Sequence, residues 1–330
     1  MRSKISPNPS LYFVGHLAID NVIRSNQQNA PTLGGSVSYG SLALSSYTQK
    51  VKLSIISHIG EKSFDKSFLG LLKTQNIDLG GIKYSNVRNT HFQLLYYNNT
   101  RTLYLKSRSP NLEFNDIPRR YLEKPPDTIA LVPLCNELTY NYLKKLSSSF
   151  PYVYFGIDLQ GFVRRFDKDG KVSYSLNKEV GTRIDRIVNL FGDKLILKGS
   201  EEEMSLLTDK HEDYKSKIQY FEKFNSKGIF IMTLGEKGSM IFSKGHSIIE
   251  IPAFKPKKVM DETGAGDVYF SIFLYEFLLS NKSWEALENI ALLSSAASSF
   301  LIEEKGLYGT VAKELVLERV KEKNYIKKWE

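Results

Sequence analysis

The sequence predicts an α/β protein: a doubly wound, mostly parallel sheet flanked by helices, with a small β lid. Three observations carry this. Short apolar runs closed by Gly, Asp or Ser recur along the chain, helical patterns separate them, and one segment breaks the alternation with a hairpin. The strand-like runs are "LYFVG" ending at Gly15, "VKLSIISHIG" ending at Gly60, "TIALVPL", "YVYFGID", "KLILKGS" and "GIFIMTLG". They are β-branched or aromatic and nearly continuous in apolar residues, as expected of parallel strands covered on both faces. Between them "SVSYGSLALSSY", "SFDKSFLGLLKTQ", "ELTYNYLKKLSS", "EEEMSLLTD" and "YKSKIQYFEKFNSK" read as helices. In "THFQLLYYNNTRTLYLKS", alternation and an Asn-rich turn at 98–100 predict strands over 90–97 and 101–106. A hairpin has no partner inside a parallel core. A second, smaller sheet is therefore expected, shared with the segment after Gly15 and standing over one edge of the core as a lid, about 16–36 and 88–110. No repeat, linker or low-complexity stretch marks a further unit, so 1–330 reads as one domain.

The totals agree with such a core. Of 330 residues, 42% are apolar and 25% charged, which suits a soluble globular protein. The longest apolar run, 268–279, is interrupted by Ser271 and Glu276 and is too short to span a membrane. The first residues carry charge without an apolar stretch leading to a cleavage site, and the single cysteine, Cys135, fits a reducing cytoplasm. Cys135 lies in "IALVPLC", where a buried, inert thiol is expected. The net charge of +9 comes from basic residues interleaved with acidic ones, as in "LERVKEKNYIKKWE". That pattern reads as a solvated surface, compatible with phosphate-bearing substrates, rather than a nucleic-acid interface. His16, His58, His91, His211 and His246 show no metal-ligand spacing and are read as structural.

The chemistry concentrates in "DETGAGD", residues 261–267, followed at once by "VYFSIFLYEFLL". Gly264, Ala265 and Gly266 leave backbone N–H groups uncovered where a helix begins, and such a helix start holds anions. Asp267 reads in two ways. It is either an N-cap, or a carboxylate that takes a proton from a hydroxyl while the adjacent N–H groups stabilise charge on a transferred phosphoryl group. The second is the geometry small-molecule phosphoryl transfer needs. Two other phosphate loops are excluded. Gly35 and Gly40 have Walker spacing, but Ser41 stands where Lys is required. A dinucleotide fingerprint would need glycine at 269, which is Tyr269.

On these residues the chain resembles the ribokinase-like (PfkB) carbohydrate kinases, whose C-terminal signature is Asp-Thr-x-Gly-Ala-Gly-Asp. Further landmarks fall in order across nearly the whole chain. Gly34-Gly35 resembles the family's N-terminal glycine pair, "HIGEKSFD" its Gly-x-Asp-x-Phe-Gly segment, "GIDLQGFVRR" its Asp-x-Asn-x-x-x-Arg region, "LKGSEEEM" its Asn-x-x-Glu region and "TLGEKGSMIF" its Thr-x-Gly-x-x-Gly nucleotide loop. The resemblance implies an ATP-dependent kinase acting on a hydroxyl of a sugar, a myo-inositol-like alcohol or a nucleoside. Asp267 would be the catalytic base and Gly264, Ala265 and Gly266 the anion hole. Lys198, Ser200, Thr233, Gly235 and Gly238 would meet ATP, and Glu203 would hold Mg2+ through water. Asp261 and Thr263 match positions that hold a monovalent cation such as K+. Asp20, Gly34, Gly35, Asp158, Gln160, Arg164 and, on the hairpin, Gln93 would meet the acceptor. A homodimer through the lid is expected, with no nucleic-acid or membrane partner.

Plainer readings stand beside these: turn chemistry for Asp261 and Thr263, dipole compensation for the glutamates at 201–203, and a solvent-facing Lys198. Four positions depart from the family pattern: Ser200 and Tyr39 replace asparagines, Lys62 replaces an acid and Asp65 a glycine. With "GGSVSYGS" and "DLQGFVR", the chain looks nearest the branch of myo-inositol kinases and related archaeal-type sugar or nucleoside kinases. The alternatives are a non-catalytic binding relative, a kinase of an already phosphorylated sugar or keto-deoxy acid, and a donor other than ATP.

Overall fold

Neighbouring residues of the first strand, Ser10–Val14, face opposite sides yet are buried together: Leu11 and Phe13 join one apolar cluster, Tyr12 and Val14 another. A strand apolar on both faces needs cover on both, and the computed structural model, which describes residues 8–24, 27–28, 30–97, 100–174, 178–207 and 213–326, supplies it. Nine strands form one sheet in the spatial order Ile249–Ile251, Ser239–Phe242, Ile229–Thr233, Leu195–Ser200, Tyr154–Asp158, Thr128–Leu131, Ser10–Val14, Lys52–Gly60, Asp78–Ser85. The strands from Ile229–Thr233 to Asp78–Ser85 pair in parallel. The other two add antiparallel at one edge. Helices Ser36–Tyr47, Ala265–Leu279 and Ala286–Leu301 supply buried residues to one face; Tyr140–Ser149, Lys178–Phe191 and Tyr214–Glu222 supply them to the other. The doubly wound expectation holds. The antiparallel edge was not anticipated, because its short strands lack a periodic signal of their own.

The expected hairpin is formed by His91–Tyr97 and Thr100–Ser107, paired antiparallel; residues 98 and 99 of its turn lie outside the described residues, as does His211. Ala18–Arg24 pairs in parallel with His91–Tyr97 and antiparallel with Thr32–Gly34, so a second sheet stands apart from the first. Its base is fastened by buried polar groups. Asn89 Oδ1 accepts from Gly60 N and Ser109 Oγ, and its Nδ2 donates to Leu17 O at 3.0 Å. Glu137 accepts the N–H groups of His16, Leu134 and Cys135. His16, Cys135 and Glu137 offer ligand atoms within 4.8 Å of one another. Those atoms are already engaged: Nε2 of His16 donates to Pro110 O at 2.8 Å, and Nδ1 accepts from Thr90 Oγ1. The cluster therefore acts as a fastening, with burial keeping the His16 imidazole neutral and the Cys135 thiol protonated. Among the described residues, no helix is long and apolar enough to cross a membrane.

Candidate active site

The strand ends at Asp158, Ser200 and Thr233 open onto a cleft of about 910 Å³, at the carboxyl edge where α/β sheets bind ligands. Its middle is the start of helix Ala265–Leu279. Residues Val268 to Leu278 of that helix are buried without interruption, because it lies between the sheet and helices Ser36–Tyr47 and Ala286–Leu301. This explains the abrupt change after residue 267: a helix packed on every side cannot shift its first turn. Gly264 caps it at φ 84°, in the left-handed region, and a Cβ there would strike the ring of Tyr39. Asp267 is in the first turn, half-buried, with the Ser36 hydroxyl bonded to it. Burial, helped by the Asp158 carboxylate, pushes its carboxyl up to about 6, although Lys198, Ser36 and Arg164 pull the other way.

Lys198 and Glu203 stand opposite that helix start. Strand pairing sets Lys198 beside Asp158, and Lys198 Nζ donates to Asp158 Oδ2 at 2.6 Å. Burial alone would lower the ammonium, but Asp158, Glu203 and Asp267 together push it up to about 12. The same ammonium nitrogen lies 3.1 Å from the point where a Gly266 Cβ would sit, so it faces the uncovered backbone at the helix start. Ser200 and Glu203 cap the next short helix reciprocally: Ser200 Oγ accepts Glu203 N at 3.2 Å, and Glu203 Oε2 accepts Ser200 N at 2.8 Å. Glu203 still lines the cleft, and burial with the Asp158 charge raises its carboxyl.

Of the residues expected at the site, the fold brings Asp20, Gly35, Gln160, Arg164, Lys198, Ser200, Glu203, Thr233, Gly235, Gly238, Thr263, Gly264, Ala265, Gly266 and Asp267 to this one cleft. Four do not line it. Asp158 is buried behind Lys198, with Oδ1 accepting Gln160 N at 3.1 Å and Oδ2 accepting Lys198 Nζ. Gly34 gives its space to Asp20, because a Cβ there would collide with the Asp20 carboxylate. Gln93 lies between Phe92 and Leu94, which line the cleft, and strand alternation turns it to the other face of the small sheet. Asp261 engages Oδ1 with Thr263 N at 3.1 Å, which is turn chemistry.

Arg164 is buried, donating to Leu134 O at 3.2 Å and to Gln160 Oε1 at 2.6 Å. Ser200 and Thr233 are register partners on adjacent strands, which places the two loops side by side.

The sequence reading missed several contributors. Ser36 touches Asp267 and accepts Gln160 Nε2 at 3.3 Å, yet a serine after a glycine pair carries no signal of its own. Phe92, Leu94, Leu103 and Leu134 make the end of the cleft under the small sheet apolar, and strand alternation could have pointed to the first three. At the far end the wall is built by Ala253, Phe254, Pro256, Ile302 and Tyr325.

A family profile described as pfkB family carbohydrate kinase matches residues 168–313. The chain is 36% identical to a nucleoside kinase of Methanocaldococcus jannaschii over 120 residues, 35% of this chain and 38% of that protein. It is 24% identical to a cytidine kinase of Thermococcus kodakarensis over 269 residues, 80% of this chain and 87% of that one. Among solved structures, a pyrophosphate-dependent kinase in the ribokinase family, complexed with a pyrophosphate analog and myo-inositol, superposes with a TM-score of 0.72 at 20% identity, covering 93% of this chain and 99% of its own.

Proposed function

We propose that this chain, a member of the pfkB family of carbohydrate kinases, transfers the γ-phosphoryl group of ATP to a hydroxyl of a nucleoside. One observation carries the reading: the Asp267 carboxylate, a base strengthened by burial, sits in the first turn of a helix whose Gly266 backbone faces the Lys198 ammonium. A base raised to about 6 is still ionised at neutral pH and accepts a proton better than an ordinary carboxylate. In the step, the acceptor oxygen bonds to the γ-phosphorus, its proton passes to Asp267, and the bond from phosphorus to the ADP oxygen breaks. Ala265 N is already bonded to Glu262 O at 3.2 Å, so the N–H groups of Gly264 and Gly266, with the Lys198 charge, balance the negative charge on the moving phosphoryl oxygens.

The acceptor lies between Asp20 and the small sheet, which serves as the lid. The half-buried Asp20 carboxylate accepts hydrogen bonds from sugar hydroxyls, and Phe92, Leu94 and Leu103 cover an apolar, flat group such as a base. A bare polyol presents hydroxyls on every side and would leave some unpaired against those side chains. Cover by the lid keeps water from the phosphoryl group. Glu203 suits Mg2+ held through water, since a hard cation keeps most of its waters and needs few carboxylates; bound there, it would neutralise phosphate charge. The test is an ADP-release screen over nucleosides, pentoses, hexoses, myo-inositol and keto-deoxy acids. Turnover of nucleosides above all others is expected. Turnover of myo-inositol with none of any nucleoside would move the acceptor to the polyols, and no turnover of any compound would overturn the kinase reading.

A further inference from the structure

The segment after the last helix reaches back to the cleft through a single antiparallel bridge. Lys255 N donates to Asn324 O at 2.8 Å and Ile326 N to Ala253 O at 2.9 Å, so residues 324–326 add to 253–255 with Phe254 opposite Tyr325. The two rings meet edge to face with centroids 4.9 Å apart. Phe254 is buried, and Tyr325 half-buried, and both line the cleft with Ala253, Pro256 and Ile302. This apolar compartment adjoins the helix start. Ser298, from the helix that carries the compartment's inner wall, donates to Ala265 O at 2.9 Å, and Ser295 donates to Pro252 O at 2.9 Å. Gly238 closes the other side: at φ 95° any Cβ would strike Ile251 O and crowd Ala253 N.

We infer that Tyr325, delivered by this bridged segment, walls a base compartment that commits the enzyme to a nucleotide donor and against inorganic pyrophosphate. The inference rests on the phosphoryl-transfer reading above and extends it to the donor. Pyrophosphate is all charge and gains nothing from an apolar wall. A nucleotide places its phosphates at the helix start and its base against Phe254 and Tyr325, where ring contact adds to affinity without touching the reacting atoms. Tyr325 is thus a specificity-determining residue distant from Asp267. The pairing is main chain to main chain, so its register survives loss of the Tyr325 side chain.

The experiment compares the native protein with Tyr325→Ala and Tyr325→Phe by calorimetric titration with ADP and with inorganic pyrophosphate, and by thermal unfolding of each variant alone. Tyr325→Ala is expected to weaken ADP at least fivefold and leave pyrophosphate binding within twofold, while Tyr325→Phe retains ADP affinity. In turnover, the KM for ATP rises in Tyr325→Ala by a similar factor, with kcat and the acceptor KM little changed. Equal ADP affinity in native protein and a folded Tyr325→Ala would overturn the assignment, as would equal weakening of ADP and pyrophosphate or turnover of pyrophosphate at the rate of ATP. ADP binding that depends on Tyr325, without transfer to any hydroxyl acceptor, would sink the kinase reading and leave the base compartment standing.

Discussion

Replacing Asp267 with Asn separates what the residue does for chemistry from what it does to the fold. In the folded protein its carboxyl titrates near 6, against an ordinary value of 3.8. Between those two values the folded state binds more protons than the unfolded chain. Stability therefore falls as pH rises through this window, and above it the fold holds a carboxylate that it disfavours. A rise from 3.8 to about 6 corresponds to about 3 kcal/mol; because the group is half-buried, solvent screening reduces that to about 1–2 kcal/mol. Asparagine cannot ionise, so at pH 8 the variant should unfold about 1–4 °C higher than the native protein. Near pH 4.5 most of the difference should vanish, since the native carboxyl is then largely protonated when folded. Turnover should fall about 10³-fold, with ADP affinity nearly unchanged. Calorimetry at pH 4.5 and 8 with an ADP-release assay reads both effects. An Asn variant retaining a tenth of native turnover, or gaining no stability at pH 8, would refute the assignment of Asp267 as a buried base.

The native enzyme's kcat/KM should rise with pH through about 6, as Asp267 loses its proton, in a pH–rate profile. Lys198→Met removes a charge that holds the Asp267 carboxyl down, so the acid limb should move to higher pH; the uncompensated Asp158 should also lower stability by about 3–5 kcal/mol in chemical denaturation. Gly264→Ala must place a side chain at φ 84° against the Tyr39 ring, and should lower the melting temperature and abolish turnover together. Gly34→Ala displaces the Asp20 carboxylate, and steady-state kinetics should show the acceptor KM rising about tenfold with the ATP KM unchanged.

Much of the fold was legible because its strands are apolar on both faces and end in small or polar residues. The run Leu195–Ser200 shows the rule: Leu195 and Leu197 fill one cluster, Ile196 the other, and the chain then turns into the site at Ser200. The helix start was equally legible, since three small residues before an apolar run have few other uses. What could not be read was direction. Gln93 and Phe92 differ by one position on a strand, yet that position decides which side chain faces the cleft. Gly34 and Gly35 look equivalent in sequence. Only the strand pairing of Ala18–Arg24 with Thr32–Gly34 shows that one makes room for Asp20 while the other lines the cleft. Tyr325 was invisible because its place depends on main-chain pairing to residues some seventy positions earlier, which carries no side-chain pattern.

The departure at Ser200 has a physical account in the same terms. Serine and asparagine are both strong N-caps, so exchanging one for the other preserves the start of helix Glu201–Ser205. The cap is reciprocal, because Glu203 returns a bond to the backbone N–H of residue 200, a bond that does not depend on the side chain there. That bond fixes the Glu203 carboxylate at the cleft beside Lys198, where burial and then the Asp158 charge raise it and the Lys198 charge restrains it. The shorter side chain thus gives up the reach of an amide but keeps the carboxylate in place. Lys198, already aimed at the helix start by Asp158, supplies the charge that a longer amide could not. In the proposed reaction, position 200 therefore bears on how tightly the donor phosphates are held, and Asp267 on whether the phosphoryl group moves.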